Sequence, residues 1–204
     1  MTSMAKKTKC ILKKVCHEGY LNVASYDLEF PSFNPTKKVV KATNRELVSQ
    51  ADSILVLLYV PDVDSFLLCQ EFRLGVCLNP GQDDPFILEC VSGTVGKHDH
   101  PDNTASKEVY EETGVKVSNL IKIAVAYKSP GILTEKCHLY YAEVGGVPPT
   151  GLYGLGDEEE IKTSLIGRND VYQLMDEMRI MDGATLIALN WFRAKQSQIF
   201  PSIE

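Results

Sequence analysis

The sequence is short of the features that mark several large classes of protein. No apolar run approaches the roughly 20 residues that a membrane-spanning helix needs. The opening MTSMAKKTKC lacks the apolar core of a secretory signal. Basic residues are also in deficit, and the net charge of −6 argues against nucleic acid as a partner. We therefore expect a cytoplasmic protein that binds neither a membrane nor nucleic acid.

The six cysteines contain no CxxC pair. Several lie in apolar runs such as FLLCQ and ILECV, which is typical of reduced, buried thiols in a cytosolic protein. His98 and His100 are close together, but no cysteine pair lies near them, so a polar loop is a better interpretation than a zinc site. The chain also offers no convincing Ser-His-Asp or Cys-His set for nucleophilic catalysis.

The remaining composition is that of a globular protein, with 44% hydrophobic and 24% charged residues in 204. The first 50 or so residues alternate apolar and polar positions, which is the period of antiparallel strands. Further apolar or alternating runs predict strands at 53–60, 65–73, 86–93, 120–127, 136–144 and 161–167. We assign 1–50 to an N-terminal β segment and 51–204 to the main domain.

Three segments carry helix signals. The first follows a potential N-cap at Asp102 or Asn103 and ends at Gly114, a natural C-terminal stop. The second follows Asn169 or Asp170, and the third covers ATLIALNWFRAKQ. This order of strands and helices predicts an α+β fold built as an α/β/α sandwich.

The most informative stretch is 93–115, where an acidic helix follows a glycine-rich loop and precedes Gly114. Glu108, Glu111 and Glu112 are spaced so that they share one face of this helix. Like charges this close repel each other and destabilise an isolated helix. Because Mg²⁺ is a hard cation that prefers oxygen ligands, it would neutralise them. The pattern therefore predicts a divalent metal site.

The same stretch resembles the Nudix box, the signature of the Nudix hydrolases. The matching positions are Gly93, Asp99, Lys107, Glu108, Val109, Tyr110, Glu111, Glu112, Thr113, Gly114 and Val115. Every spacing is kept, but Asp99 stands where the family has Glu, and Lys107 where it has an Arg that joins loop and helix. The resemblance implies the Nudix fold, with a mixed sheet between helices.

The family likeness also implies a cofactor and its ligands. The cofactor is Mg²⁺, for which Mn²⁺ is a possible substitute. The implied ligands are Glu108, Glu111, Glu112 and the backbone carbonyl of Ser92.

The flanking segments narrow the resemblance to the branch of ADP-ribose and GDP-mannose pyrophosphatases. QEFR, which ends at Arg73, and LE, which ends at Glu89, match the strands that lead to the box in that branch. The likeness implies that Arg73 contacts the substrate diphosphate and that Glu89 supports the metal site. Downstream, SPGILTE resembles the SPG-x-TE segment of the branch, in which Ser129 and Glu135 would touch the sugar or the terminal phosphate.

A last acidic segment, GLYGLGDEEEIK at 151–162, resembles the mobile loop that supplies a catalytic glutamate in this branch. Alignment favours Glu158 as the general base for the attacking water, with Glu159 as the fallback. Glu111 completes the predicted catalytic set. The branch also implies a homodimer in which the N-terminal segment lends residues to the neighbouring active site, Arg45 being one candidate.

We therefore predict an enzyme, a Mg²⁺-dependent Nudix pyrophosphohydrolase. Its substrate would be a small molecule, ADP-ribose or a related nucleoside diphosphate sugar, split into a nucleoside monophosphate and a sugar phosphate. GDP-mannose or another sugar nucleotide is the alternative substrate. A non-catalytic Nudix-fold ligand sensor is the alternative class, although such proteins usually lose box carboxylates or gain a DNA-binding domain.

Overall fold

The structure is a computed structural model that describes residues 8–154 and 160–199, with side chains up to residue 195. The predicted bases Glu158 and Glu159 lie outside the described residues. The chain divides into two compact units. The first contains the described residues up to Ala51 together with Tyr127–Lys136, and the second contains Asp52–Ala126 and the described residues from Cys137 onward.

The first unit is built on an antiparallel sheet with strand order β1-β2-β3. Its strands are β1 (Lys9–Glu18), β2 (Asn22–Pro31) and β3 (Val39–Ser49). The predicted antiparallel strands are thus confirmed. Every residue of β1 is exposed, including the apolar side chains of Ile11, Leu12 and Val15. Residues 132–134 join this unit through backbone hydrogen bonds with Val48.

The second unit contains an eight-stranded sheet with the main order β10-β11-β5-β4-β9-β8. Its strands are β4 (Ser53–Val60), β5 (Ser65–Phe72), β6 (Phe86–Glu89), β7 (Val91–Thr94), β8 (Ile121–Tyr127), β9 (Lys136–Glu143), β10 (Leu152–Tyr153) and β11 (Ile161–Gly167). β4 pairs parallel with β9 and antiparallel with β5 and β7, so the sheet is mixed.

Helices cover both faces of this sheet. They are α1 (Leu74–Cys77), α2 (Pro101–Thr113), α3 (Arg168–Asp176) and α4 (Gly183–Ile199). The α2 side chains Ala105 and Val109 pack in one core cluster, whereas α3 and α4 pack in the other. All eight residues of β4 are buried between the two clusters. The predicted α/β/α sandwich is therefore confirmed. In the described part of the chain, no helix is long and apolar enough to cross a membrane.

Three predicted boundaries were wrong. α3 begins at Arg168, whose N–H donates to the Asp64 carbonyl, rather than after Asn169 or Asp170. α2 begins at Pro101 rather than after Asp102, because proline has the backbone angle of a first helical residue and the His100 ring accepts the Asp102 N–H. The strand predicted at 86–93 is two strands, β6 and β7. The Cys90 N–H leaves the ladder for the Thr185 hydroxyl at 3.0 Å, and the pairing changes there from β5 to β4.

The turn between β4 and β5 is tied to the start of α3. The Arg168 guanidinium donates two hydrogen bonds to Asp64, at 2.7 and 2.9 Å, and the Tyr59 hydroxyl donates a third at 2.6 Å. Asp64 has a positive φ of 45°, which few non-glycine residues adopt. These bonds hold the chain in that turn, and Arg168 keeps the pKa of the Asp64 carboxyl below its ordinary value.

We expect Asp64→Asn to lower the free energy of unfolding by about 1 kcal/mol at neutral pH, the scale of a well-aligned exposed ion pair. Since the pKa of Asp64 is lowered in the folded state, its contribution is present above the unfolded pKa and is lost as the pH falls through the folded pKa. Denaturant unfolding should therefore show a difference that shrinks in acid. Asp83→Asn, an exposed control, should show no loss, and an equal effect of both variants would contradict the assignment.

Candidate active site

The box helix α2 lies against β7, and a glycine makes that approach possible. A Cβ built on Gly93 would stand 2.5 Å from Cδ of Glu108. Any side chain at residue 93 would therefore displace the Glu108 carboxylate. At the end of α2, Gly114 has φ of 69° and donates its N–H to the Tyr110 carbonyl, as predicted for a helix stop. The first glycine of the box thus gives Glu108 its space, and the last one ends the helix.

Strand β5 supplies the other wall of the site. Successive side chains of a strand point to opposite faces, so residues 69, 71 and 73 share one face. Cys69 packs in the cluster that contains α2, and its thiol lies 3.7 Å from Oε2 of Glu112. Glu71 and Arg73 follow on the same face, and Arg73 is half-buried. The alternation therefore points a thiol, a carboxylate and a guanidinium toward the acidic helix.

Glu112 is the buried centre of this arrangement. Its side chain is 9% exposed, and burial together with the negative charges of Glu108 and Glu71 raises its pKa to about 8. The backbone N–H of Ser92 and the thiol of Cys69 oppose this rise by donating to the carboxylate. Glu112 therefore shares one electrostatic environment with a box residue and with a strand residue that the box does not contain.

Lys107 pairs with the two other box carboxylates. Its Nζ lies 2.6 Å from Oε2 of Glu111 and 3.7 Å from Oε1 of Glu108. Lysine is a single point charge at a position where the family has a planar guanidinium. Lys107 therefore links residues of the same helix, and its ion-pair partner Glu111 lies one turn further along α2. The predicted role of Glu111 as a metal ligand remains a prediction.

Arg73 is oriented by two carboxylates. Its Nε donates to Glu89 at 2.6 Å, and its Nη1 lies 2.9 Å from Glu71. Burial raises the pKa of Glu89, although the Arg73 charge opposes that rise. A guanidinium has five N–H donors, so donors remain for a phosphate oxygen after both contacts. Glu89 and Glu71 therefore fix the side chain for which the sequence predicts contact with the diphosphate.

The predicted base loop is rooted in the same sheet. β10 and β11 form the hairpin that carries it, and the Gly151 N–H donates to the Thr163 hydroxyl at 3.0 Å. Thr163 is the β11 residue paired with Cys69 of β5. The strands on either side of residues 155–159 are therefore both part of the sheet of the second unit.

Other predicted residues lie in the first unit. Glu135 is buried and forms an ion pair with Lys128 at 3.1 Å. The Ser129 carbonyl accepts the N–H of Leu133 in a turn. Arg45 lines a cavity of about 440 Å³, together with residues that include Phe30 and Glu46. Their contact with a substrate remains a prediction. In the second unit, Asp99 donates its backbone N–H to the Gly96 carbonyl in a turn before α2, and its predicted role in supporting the loop remains a prediction.

The donor chemistry of the cluster fits a hard divalent cation. Its charged groups are carboxylates, which are the ligands that Mg²⁺ and Mn²⁺ share. Burial, and after it the negative charges of Glu108 and Glu71, raises the pKa of Glu112, and a nearby cation would oppose that rise. Within residues 8–154 and 160–195, however, no three His, Cys, Asp or Glu side chains are arranged as a metal-binding group. Glu108 and Glu111 face Lys107 instead, so binding would require their side chains to turn.

Comparisons with known proteins find relatives that match most of the chain. No family model matches the chain. The chain is 30% identical over 189 residues to the ADP-ribose pyrophosphatase of Haemophilus influenzae, covering 92% of this chain and 86% of that protein. It is 25% identical to the ADP-ribose pyrophosphatase of Escherichia coli K12, over 90% of this chain and 86% of that one. It is 26% identical to the GDP-mannose pyrophosphatase of Salmonella paratyphi B, over 93% and 97% respectively.

A solved structure supports the fold. The crystal structure of an ADP compounds hydrolase superposes with a TM-score of 0.70 at 17% identity. The match covers 94% of this chain and 95% of that one, so both units belong to the shared architecture.

We expect Glu108→Gln to lower the pKa of Glu112 from about 8, because it removes one of the charges that raise it. The value should stay above the ordinary one, since burial is the larger cause. Carbon NMR of labelled glutamate carboxyls in the metal-free protein measures the titration. Glu177→Gln, at the exposed end of α3, is the control and should leave it unchanged. If Glu112 had the same pKa in the wild type and in Glu108→Gln, the electrostatic coupling between these two carboxylates would be contradicted.

Proposed function

The chain belongs to the Nudix hydrolases, in the branch of the ADP-ribose and GDP-mannose pyrophosphatases, and on that premise we propose its substrate and the roles of its residues. It hydrolyses the diphosphate of ADP-ribose or of a related sugar nucleotide to a nucleoside monophosphate and a sugar phosphate. The observation that carries this function is the buried Glu112, coupled to Glu108 and Glu71 beside the oriented guanidinium of Arg73. GDP-mannose remains the alternative substrate because several relatives are named GDP-mannose pyrophosphatase.

The residues that would hold the cofactor are those of the box. Glu108, Glu111 and Glu112 would bind Mg²⁺, with Mn²⁺ as a substitute, and the carbonyl of Ser92 would add a backbone ligand. When bound, such an ion polarises a phosphoryl oxygen and lowers the pKa of a water molecule. Gly93 keeps space for Glu108, and the N–H of Ser92 orients Glu112.

Arg73 would hold the diphosphate. Its remaining N–H donors match phosphate oxygens, and charge that develops on those oxygens in the transition state is stabilised by a cation already in place. Glu71 and Glu89 fix the guanidinium before substrate arrives, so little reorganisation is needed. Ser129 and Glu135 are proposed to contact the sugar or the terminal phosphate, as the branch implies.

Glu158, or else Glu159, would accept the proton of the attacking water. The strands on either side of residues 155–159, β10 and β11, pair with each other in the unit that also contains the box. We also propose that the enzyme works in the cytoplasm, in keeping with its six free thiols; recovery in a secreted fraction would contradict that location.

A substrate panel tests the function. The pure protein is incubated with Mg²⁺ and nucleotide sugars, dinucleotides or nucleoside triphosphates, and the initial rates are ranked. We expect ADP-ribose or another sugar nucleotide to be the fastest. Fast triphosphate hydrolysis with inert ADP-ribose would overturn the substrate class, and tight ADP-ribose binding without hydrolysis would favour the ligand sensor.

Matched variants locate the chemistry within the same assay. Glu112→Gln should reduce turnover by at least about 100-fold, the scale seen when a group that supports transition-state charge is removed. Glu177→Gln is the control and should retain wild-type turnover. Glu158→Gln should lower kcat while Glu159→Gln leaves it unchanged, and the reverse result would move the base to Glu159.

We further propose that the first unit forms a homodimer, since β1 exposes Ile11, Leu12 and Val15, each more than half exposed. Light scattering should then give about twice the 22.7 kDa of one chain. Leu12→Glu should shift the mass to that of a monomer. Leu152→Glu, at an equally apolar exposed position in the second unit, should not. A monomeric wild type would contradict the proposal.

A further inference from the structure

Cys69 occupies an unusual place for a buried thiol. It is 4% exposed and lies in β5 between Glu89 of β6 and Thr163 of β11. Its side chain points to the face of the sheet that carries α2, among Val91, Val109 and other apolar residues. Strand β5 is held on both sides at this residue, so the sulfur has a fixed position.

The thiol is a hydrogen-bond donor at that position. Sγ lies 3.7 Å from Oε2 of Glu112, within the range of a sulfur hydrogen bond. The sulfur is 4% exposed and has apolar neighbours, a setting that disfavours a thiolate and favours the protonated thiol. The Cys69 thiol donates this proton to the Glu112 carboxylate.

Glu112 needs such donors more than an exposed carboxylate would. A buried carboxylate that lacks hydrogen bonds is costly, and its side chain is free to turn toward whatever donor it finds. The Ser92 N–H supplies one donor from β7, and Cys69 supplies another from β5. Donors from two different strands fix the plane of a carboxylate, whereas a single donor would leave it free to rotate.

We propose that Cys69 is a positioning residue, whose thiol holds the Glu112 carboxylate in the orientation that binds the divalent cation. This proposal rests on the proposed function of Glu112. It assigns no chemistry to the sulfur itself, because a protonated, buried thiol is a poor nucleophile. It also explains why an apolar strand position carries a residue with a proton to donate.

The competing explanation is that Cys69 is a small apolar residue that fills space. Cys137 provides the comparison within the same chain. It is 2% exposed and lies in β9, and its side chain packs in the cluster on the opposite face of the sheet, with α3 and α4. Valine at either position replaces a thiol of similar burial by methyl groups. At residue 69 the replaced thiol contacts Glu112, whereas at residue 137 it lies on the opposite face of the sheet.

The test uses Cys69→Val, Cys69→Ser and Cys137→Val in the full chain. Binding of Mn²⁺ to the metal-free proteins is measured by electron paramagnetic resonance, and kcat and KM for ADP-ribose are measured with Mg²⁺. Cys69→Val should weaken Mn²⁺ binding and lower kcat by about tenfold with little change in KM, the low end expected when a partner of a metal ligand is lost. Cys69→Ser keeps a donor and should recover most of both.

Cys137→Val should lower stability at most, with unchanged Mn²⁺ binding and kcat. Wild-type Mn²⁺ binding and kcat in a folded Cys69→Val would overturn the positioning role while leaving the function intact. Equal losses in Cys69→Ser and Cys69→Val would also overturn it, since packing would then explain the effect. By contrast, a wild type that binds Mn²⁺ but hydrolyses neither ADP-ribose nor any other sugar nucleotide would refute the proposed function alone.

Discussion

The burial of Glu112 beside two other carboxylates is the constraint on which the site depends. Burial alone disfavours a charged Glu112, and the negative charges of Glu108 and Glu71 add to the penalty. A fold keeps such a group only when something in its working state offsets the charge. The donors from Ser92 and Cys69 offset part of it, and a divalent cation would offset the rest. Substrate phosphates, which are anions, would then meet a neutralised site.

Three features of the fold bring the carboxylates, the thiol and the guanidinium together. The two-residue period of β5 aims Cys69, Glu71 and Arg73 at one face, and the helical period of α2 aims Glu108 and Glu112 back at it. Gly93 allows the helix to approach the sheet closely enough for the two sets to meet. The sandwich core on the other face is made by α3 and α4 and does not take part. A rigid, doubly covered sheet therefore supports the acidic face.

Much of this could be predicted from the sequence, because fixed spacings translate directly into shared faces. The box, the strand β4 with its continuous apolar run, and the Gly114 stop all follow from local periodicity. Glu71 and Cys69 were missed as members of the site, because a single carboxylate or thiol in a strand carries no signal by itself. The alternation of Cys69, Glu71 and Arg73 was the signal available. The break at Cys90 depends on Thr185, far along the chain, and no local pattern predicts such a contact.

The remaining predicted residues depend on more than local periodicity. Lys107, which stands where the family has arginine, joins Glu108 and Glu111 within one helix, and no spacing in the sequence could predict which partners a lysine would take there. The account is tested most directly by anomalous diffraction from crystals of the protein soaked in Mn²⁺. It predicts a peak between the carboxylates of Glu108 and Glu112. A well-occupied Mn²⁺ site elsewhere, with these carboxylates unliganded, would contradict it.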